Sequence, residues 1–190
     1  MLRAAVAFKR LDILEKHLAS ALAQAPVATE TLRLAAWFSE ARGQREPAIR
    51  YAMEALQRDN ADGAMLLLLG RLLITAADPG QRRQAKEIAW GLADKPDQTG
   101  FDALILLANH ADQLTPAEER RCLEKLSAHP TRGPEQRFVL ANLRLRIEPD
   151  RRRAIIDQAI QATPAGDKEQ KLLLARWLLV QREYGRVLEV

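Results

Sequence analysis

The feature that most constrains this chain is its punctuation. Turn or cap residues fall at Ala25-Pro26, Arg42-Gly43, Arg58-Asp59-Asn60, Asp78-Pro79-Gly80, Lys95-Pro96-Asp97, Thr115-Pro116, His129-Pro130, Glu148-Pro149-Asp150 and Thr163-Pro164, roughly 14 to 20 residues apart. Each interval holds one helix of three to four turns and a short connection. No segment sustains the period-2 alternation of a strand. Alanine and leucine dominate, and only 5% of the 190 residues are aromatic, a bias toward helix. The expectation is an all-α chain.

Taken in pairs, the helices form units of about 34 residues. In residues 29–62 the first helix places Leu32, Ala35, Ala36 and Ser39 on one face. The second places Ala48, Ile49, Ala52, Ala55 and Leu56 on one face. Small residues in the middle of both let the axes approach closely. Gly43 suits the left-handed residue that ends a helix, and Glu46-Pro47 suits the first turn of the next.

This unit resembles the tetratricopeptide repeat (TPR), a helix–turn–helix family, through Leu32, Ala35, Ala36, Gly43, Ala48, Ala55, Leu56 and Asp59-Asn60. Residues 11–26 resemble a second helix of the same family, with Ala21, Leu22 and Pro26 in place. In residues 63–97, Leu66, Leu69, Gly70 and Leu73 match a first helix and Ala85, Ala89 and Leu92 a second, with about three extra residues and a longer turn around 77–80. Later units keep the length and the pairing while Arg and Glu replace several small residues; Thr115-Pro116-Ala117-Glu118 reads as a capping box. For these later units a generic α-solenoid of another family is the alternative. The resemblance implies a right-handed α-solenoid of stacked antiparallel helix pairs, one array with units at 1–28, 29–62, 63–98, 99–132, 133–166 and 167–190. The end units read as incomplete, with only residues 2–8 for a first helix and about seven for the last. A piece of a longer protein is therefore expected.

One pair cannot bury its apolar faces alone, so such units stack into a shared core and curve, with first helices lining a concave side. The resemblance implies a peptide or partner protein there. Helical phase puts Glu30, Arg33, Trp37 and Glu40 opposite the packing face of the first full unit. In the next it puts Leu67, Arg71 and Ile74 there, and in the last Arg176 and Val180. The competing reading makes Leu67, Ile74 and Val180 core and packs Trp37 between units. The family's clamp for an acidic C-terminal peptide needs Lys, Asn and Arg at set places, and that set has no match here.

Charge is uneven. Up to Glu119 there are 14 basic and 16 acidic residues; beyond it there are 15 and 9. Arg151, Arg152 and Arg153 open a helix, where cations oppose the dipole. Their misfit suggests an acidic partner, a phosphate or an adjacent acidic unit. RNA binding through this end is the weaker reading, because the aromatics are not spaced as stacking platforms.

Catalytic chemistry is not expected. His17, His110 and His129 fall in three units, Cys122 is alone, and neither a phosphate loop nor a nucleophile elbow is present. No cofactor or metal is expected. Cys122, beside Arg120 and Arg121, reads as structural or solvated rather than activated. The chain holds no apolar run near the ~20 residues that span a bilayer. The leading function is a protein–protein interaction scaffold, with bacterial composition. The alternative is an accessory region of an enzyme or a polysaccharide-export machine. Self-association through uncapped array ends is a further expectation. Cytoplasm is the default compartment; a periplasmic one requires a leader upstream of Met1.

Overall fold

A computed structural model describes residues 11–130, 136–164 and 166–188. The expected first helix over residues 2–8, the unit boundary at 132–133 and the last two residues lie outside them. Among the described residues there are eleven α-helices, two 3-10 turns and no strand. In chain order these are α1 (Leu11–Leu22), α2 (Thr29–Ala41), α3 (Arg45–Arg58), α4 (Gly63–Ile74), α5 (Pro79–Leu92), α6 (Gln98–Asn109), α7 (Pro116–Ala128), α8 (Gln136–Ile147), α9 (Arg152–Gln161), α10 (Lys168–Val180) and α11 (Tyr184–Val187). The chain divides into two compact units, residues 1–92 and 93–190.

In the first unit each helix packs on the next in sequence, from α1 to α5. Ala35 and Ala36 of α2 and Ala48, Ala52 and Ala55 of α3 are at most 1% exposed. Side chains this small let the two backbones of the α2–α3 hairpin come close. Leu32, Ala36, Ala52, Ala55, Met65 and Leu68 make one core across α2, α3 and α4, while Leu18, Ala35 and Phe38 tie α1 to α2. Each fully buried Leu is worth about 1.5–3 kcal/mol.

Helix α2 ends as Gly43 suggested. Gly43 N donates to Glu40 O at 2.9 Å and Gln44 N to Ser39 O at 2.8 Å, with Gly43 at φ +70°. These are the paired bonds of a Schellman stop. Asp62 opens α4 by accepting from Ala64 N at 3.0 Å and Met65 N at 3.1 Å. The turn near residue 79 is longer than that of the preceding hairpin, as expected, but by one residue rather than three, spanning residues 75–78 against 42–44. Pro79 is the first residue of α5 rather than part of the loop, since a proline there forfeits no helix hydrogen bond.

In the second unit, α6 packs on α7 and α8, α7 on α8, α8 on α9, and α10 on α11. The capping box at Thr115 is present: Glu118 N donates to Thr115 Oγ1 at 3.3 Å, and Thr115 N to Glu118 Oε2 at 2.7 Å. Phe138, Ala141, Ile155, Ile156, Ala159, Leu174, Trp177 and Leu178 form one core across α8, α9 and α10. The break at Pro149 is a 3-10 turn, Pro149–Arg151, that leads into α9. Helix α10 stops by the same device as α2, with Arg182 N donating to Leu179 O at 3.0 Å and Glu183 N to Leu178 O at 2.9 Å. Here the left-handed position is Arg182, at φ +63°.

Within each unit, side-chain bonds reach about one repeat along the chain. Arg33 donates to Asp62 and Arg71 to Glu40 in the first unit. In the second, Lys125 donates to Asp94, Trp177 to Asn142, Arg152 to Gln181 O and Arg186 to Asp157. These separations lie between 29 and 35 residues.

Candidate binding surfaces

Glu30, Arg33, Trp37 and Glu40 recur every three or four residues along α2, so they form one stripe. The structure joins that stripe to α4. Arg71 Nη2 lies 2.6 Å from Glu40 Oε1, and its guanidinium carbon sits 5.3 Å from the centre of the Trp37 ring. Trp37 is half-buried, its inner edge against the core. Farther along α2, Arg33 pairs with Glu30, with Asp62 Oδ2 at 2.5 Å and with Asp59 Oδ2 at 3.0 Å. The Asp62 hydrogen bond pushes the Arg33 pKa further up. Leu34, 36% exposed, is the apolar member of the same helix surface.

Leu67 and Ile74 do not join this surface. They are 8% and 1% exposed and belong to the core. At about 100° per residue, Leu67 and Ile74 lie within about 20° of each other, while Arg71 is offset by about 40° from Leu67. Arg71 therefore marks the edge of the buried face, and the two apolar residues sit inside that edge.

The remaining sequence-selected residues belong to the second unit. Arg176 is exposed on α10, in the same stripe as Leu172 and Leu179. Val180 is 76% exposed, so it is not core. Of the arginine triplet, Arg151 lies in the 3-10 turn and bonds Glu148 at 2.7 Å. Arg152 donates to Gln181 O at 2.6 Å and reaches Glu183 Oε1 at 3.3 Å. It thus caps the carbonyl end of α10, where a cation is favoured. Arg153 is exposed. Two of the three charges find acceptors within this unit.

Asp59 and Asp62 complete the first surface and escaped the sequence reading. Asp62, immediately before Gly63, carried the signal of a helix cap. Arg137 and Arg144 of α8 were also missed, although with Arg151 they recur every seventh residue.

Cys122 is fully buried on α7, its sulfur 3.6 Å from Leu104 O, and burial pushes its thiol up to about 12. The arginines at 120 and 121 therefore do not activate it. His129 is buried as well, Nε2 lying 3.0 Å from Lys95 O and the ring 5.7 Å from that of Phe101. Among the described residues no group of three His, Cys, Asp or Glu side chains is placed to hold a metal ion. No described helix is long and apolar enough to cross a membrane. No family model, curated protein or solved structure matches the chain.

Proposed function

We propose that the chain is a protein–protein interaction scaffold, a right-handed stack of TPR-like helix pairs that receives a peptide or partner protein on the surface of its first helices. The observation that carries this reading is the recurrence of side-chain bonds 29 to 35 residues apart, near the 34-residue period of the sequence. A chain whose hairpins are fastened to their successors at offsets near one repeat has the internal logic of a repeat array. The reused stop at Gly43 and Arg182, each between the two helices of a pair, supports the same period.

The docking surface is the stripe of Glu30, Arg33, Trp37 and Glu40 with Arg71 beside it. An aromatic ring under a guanidinium, rimmed by carboxylates, offers the anchor type that dominates interface energy. The Glu40–Arg71 pair is part-exposed, so a partner can exchange it at low cost.

Two measurements test the proposal. A compact 190-residue chain has a radius of gyration of about 16 Å; an open stack gives a larger value by solution scattering, and a value at the compact limit overturns the solenoid. Separately, a partner captured from the source organism by the wild-type chain should be lost by Trp37→Ala with Arg71→Glu. Equal capture by both forms overturns this surface.

A further inference from the structure

Outside the surface just described, α8 and α9 enclose a groove that no part of the proposed function uses. Arg137, Leu140, Ala141, Arg144, Ala159 and Ala162 line its narrow end, a cavity of about 110 Å³. Through Arg144, Ile155 and Gln158 it continues into a wider depression of about 500 Å³ bounded by Glu124, Ser127 and Glu148. Alanines at 141, 159 and 162 leave room above the helix backbones, and Leu140 and Ile155 give the walls an apolar character.

The two arginines of the narrow end differ from the ion-paired arginines of this unit. Arg146 pairs with Glu119, Arg151 with Glu148, Arg152 with Glu183 and Arg186 with Asp157. Arg137 instead donates to two neutral oxygens, Thr163 Oγ1 at 2.9 Å and Gln170 Oε1 at 3.0 Å. Arg144 donates to Gln158 Oε1 at 3.1 Å. Among the described residues no carboxylate bonds either one. Asp167 is near enough to feel Arg137, but its two oxygens accept from Gln170 N and Gln170 Nε2. Two half-buried cations on one groove are thus held in place by neutral groups, an arrangement that orients positive charge without neutralising it.

We propose that this groove binds a peptide segment with an acidic head and a neutral or basic continuation. Seven residues of helix separate Arg137 and Arg144 by about 10 Å. A peptide in the polyproline II conformation, with three residues per turn at about 3.1 Å each, puts positions i and i+3 on one face about 9 Å apart, so carboxylates there meet both guanidiniums with charge-assisted hydrogen bonds. The backbone between them settles over the alanine floor. At the wide end Arg151 also lines the wall and pairs with Glu148, so Glu124 is the carboxylate that favours a lysine or a neutral residue there. No aromatic side chain lines the groove, so a nucleic acid finds neither uniform positive charge nor a stacking platform. This inference rests on the reading of the chain as a scaffold and names a second surface for it.

The test is fluorescence anisotropy with a labelled peptide carrying Glu at its first and fourth positions and a lysine tail, beside a uniformly acidic peptide and a single-stranded oligonucleotide. The wild-type chain should prefer the mixed peptide. Arg137→Gln with Arg144→Gln should weaken it by about tenfold or more. Glu124→Lys should weaken the mixed peptide and tighten the acidic one, a gain that misfolding cannot imitate. Binding unaltered by either change, no binding of the mixed peptide, or preference for the oligonucleotide overturns the groove. Trp37→Ala with Arg71→Glu should leave this binding intact. If that variant alone abolishes it, the peptide has bound the α2–α4 surface, and the groove falls while the scaffold stands.

Discussion

Arg33 Nε lies 2.5 Å from Asp62 Oδ2, and the other oxygen of the same carboxylate caps α4. One aspartate thereby starts a helix and fastens it to the first helix of the preceding pair. Asp62→Ala removes both roles and should cost about 2 kcal/mol, the loss of a cap together with a charged hydrogen bond. Asp62→Asn keeps a capping oxygen and should cost less than about 1 kcal/mol. Urea midpoints of the two variants measure the difference; equal losses would mean that the cap contributes nothing separable.

Arg182 occupies the left-handed stop that Gly43 occupies in the first unit. A side chain in that conformation costs about 1–2 kcal/mol, against which glycine's looser unfolded state returns part. Arg182→Gly should therefore raise stability by up to about 1 kcal/mol. A lowered melting temperature would show that the arginine side chain contributes more than its backbone strain removes.

Burial holds the Cys122 thiol protonated up to about pH 12, against 9.0 for an ordinary thiol. Between those values the folded chain keeps a proton that the unfolded chain has released. The stabilising contribution is whole below the lower value and lost as pH rises toward the higher. Cys122→Ala should show a shallower fall in stability from about pH 8 to about pH 11 than the wild type. The native thiol should also resist Ellman's reagent until the fold opens, since the thiolate is the nucleophile; rapid reaction at neutral pH would contradict the buried site.

Two carboxylates act at the other end of the scale. The Lys125 ammonium holds Asp94 below its usual 3.8, and the hydrogen bond from Gln170 N does the same for Asp167. Each contributes stability above the unfolded pKa that is lost as pH falls through the lower folded value. Asp94→Asn combined with Asp167→Asn should flatten the acid limb of a stability–pH curve below about pH 4. A limb as steep as that of the wild type would exclude both groups as its source.

Helix positions and several caps were legible because their signals are local. Thr115 and Glu118 lie three residues apart, and Gly43 announces its own backbone angle. The stripe of Trp37 and Glu40 with Arg71 was legible from helical phase. Leu67 and Ile74 were misread because α4 is apolar nearly all round, leaving Arg71 as the one charged marker of where its buried face ends. Arg182 gave no warning, since nothing in its side chain asks for a positive φ. The groove at Arg137 and Arg144 was hidden for another reason. Their seven-residue spacing is visible, but the neutral acceptors that set them apart lie 14 to 33 residues away in sequence.

The fastenings from Arg33 to Asp62 and from Trp177 to Asn142 each stop at a neighbour. A tether so short passes little tension onward. Pulled from its termini, each compact unit should peel one hairpin at a time, giving a staircase of small force steps instead of a single rupture.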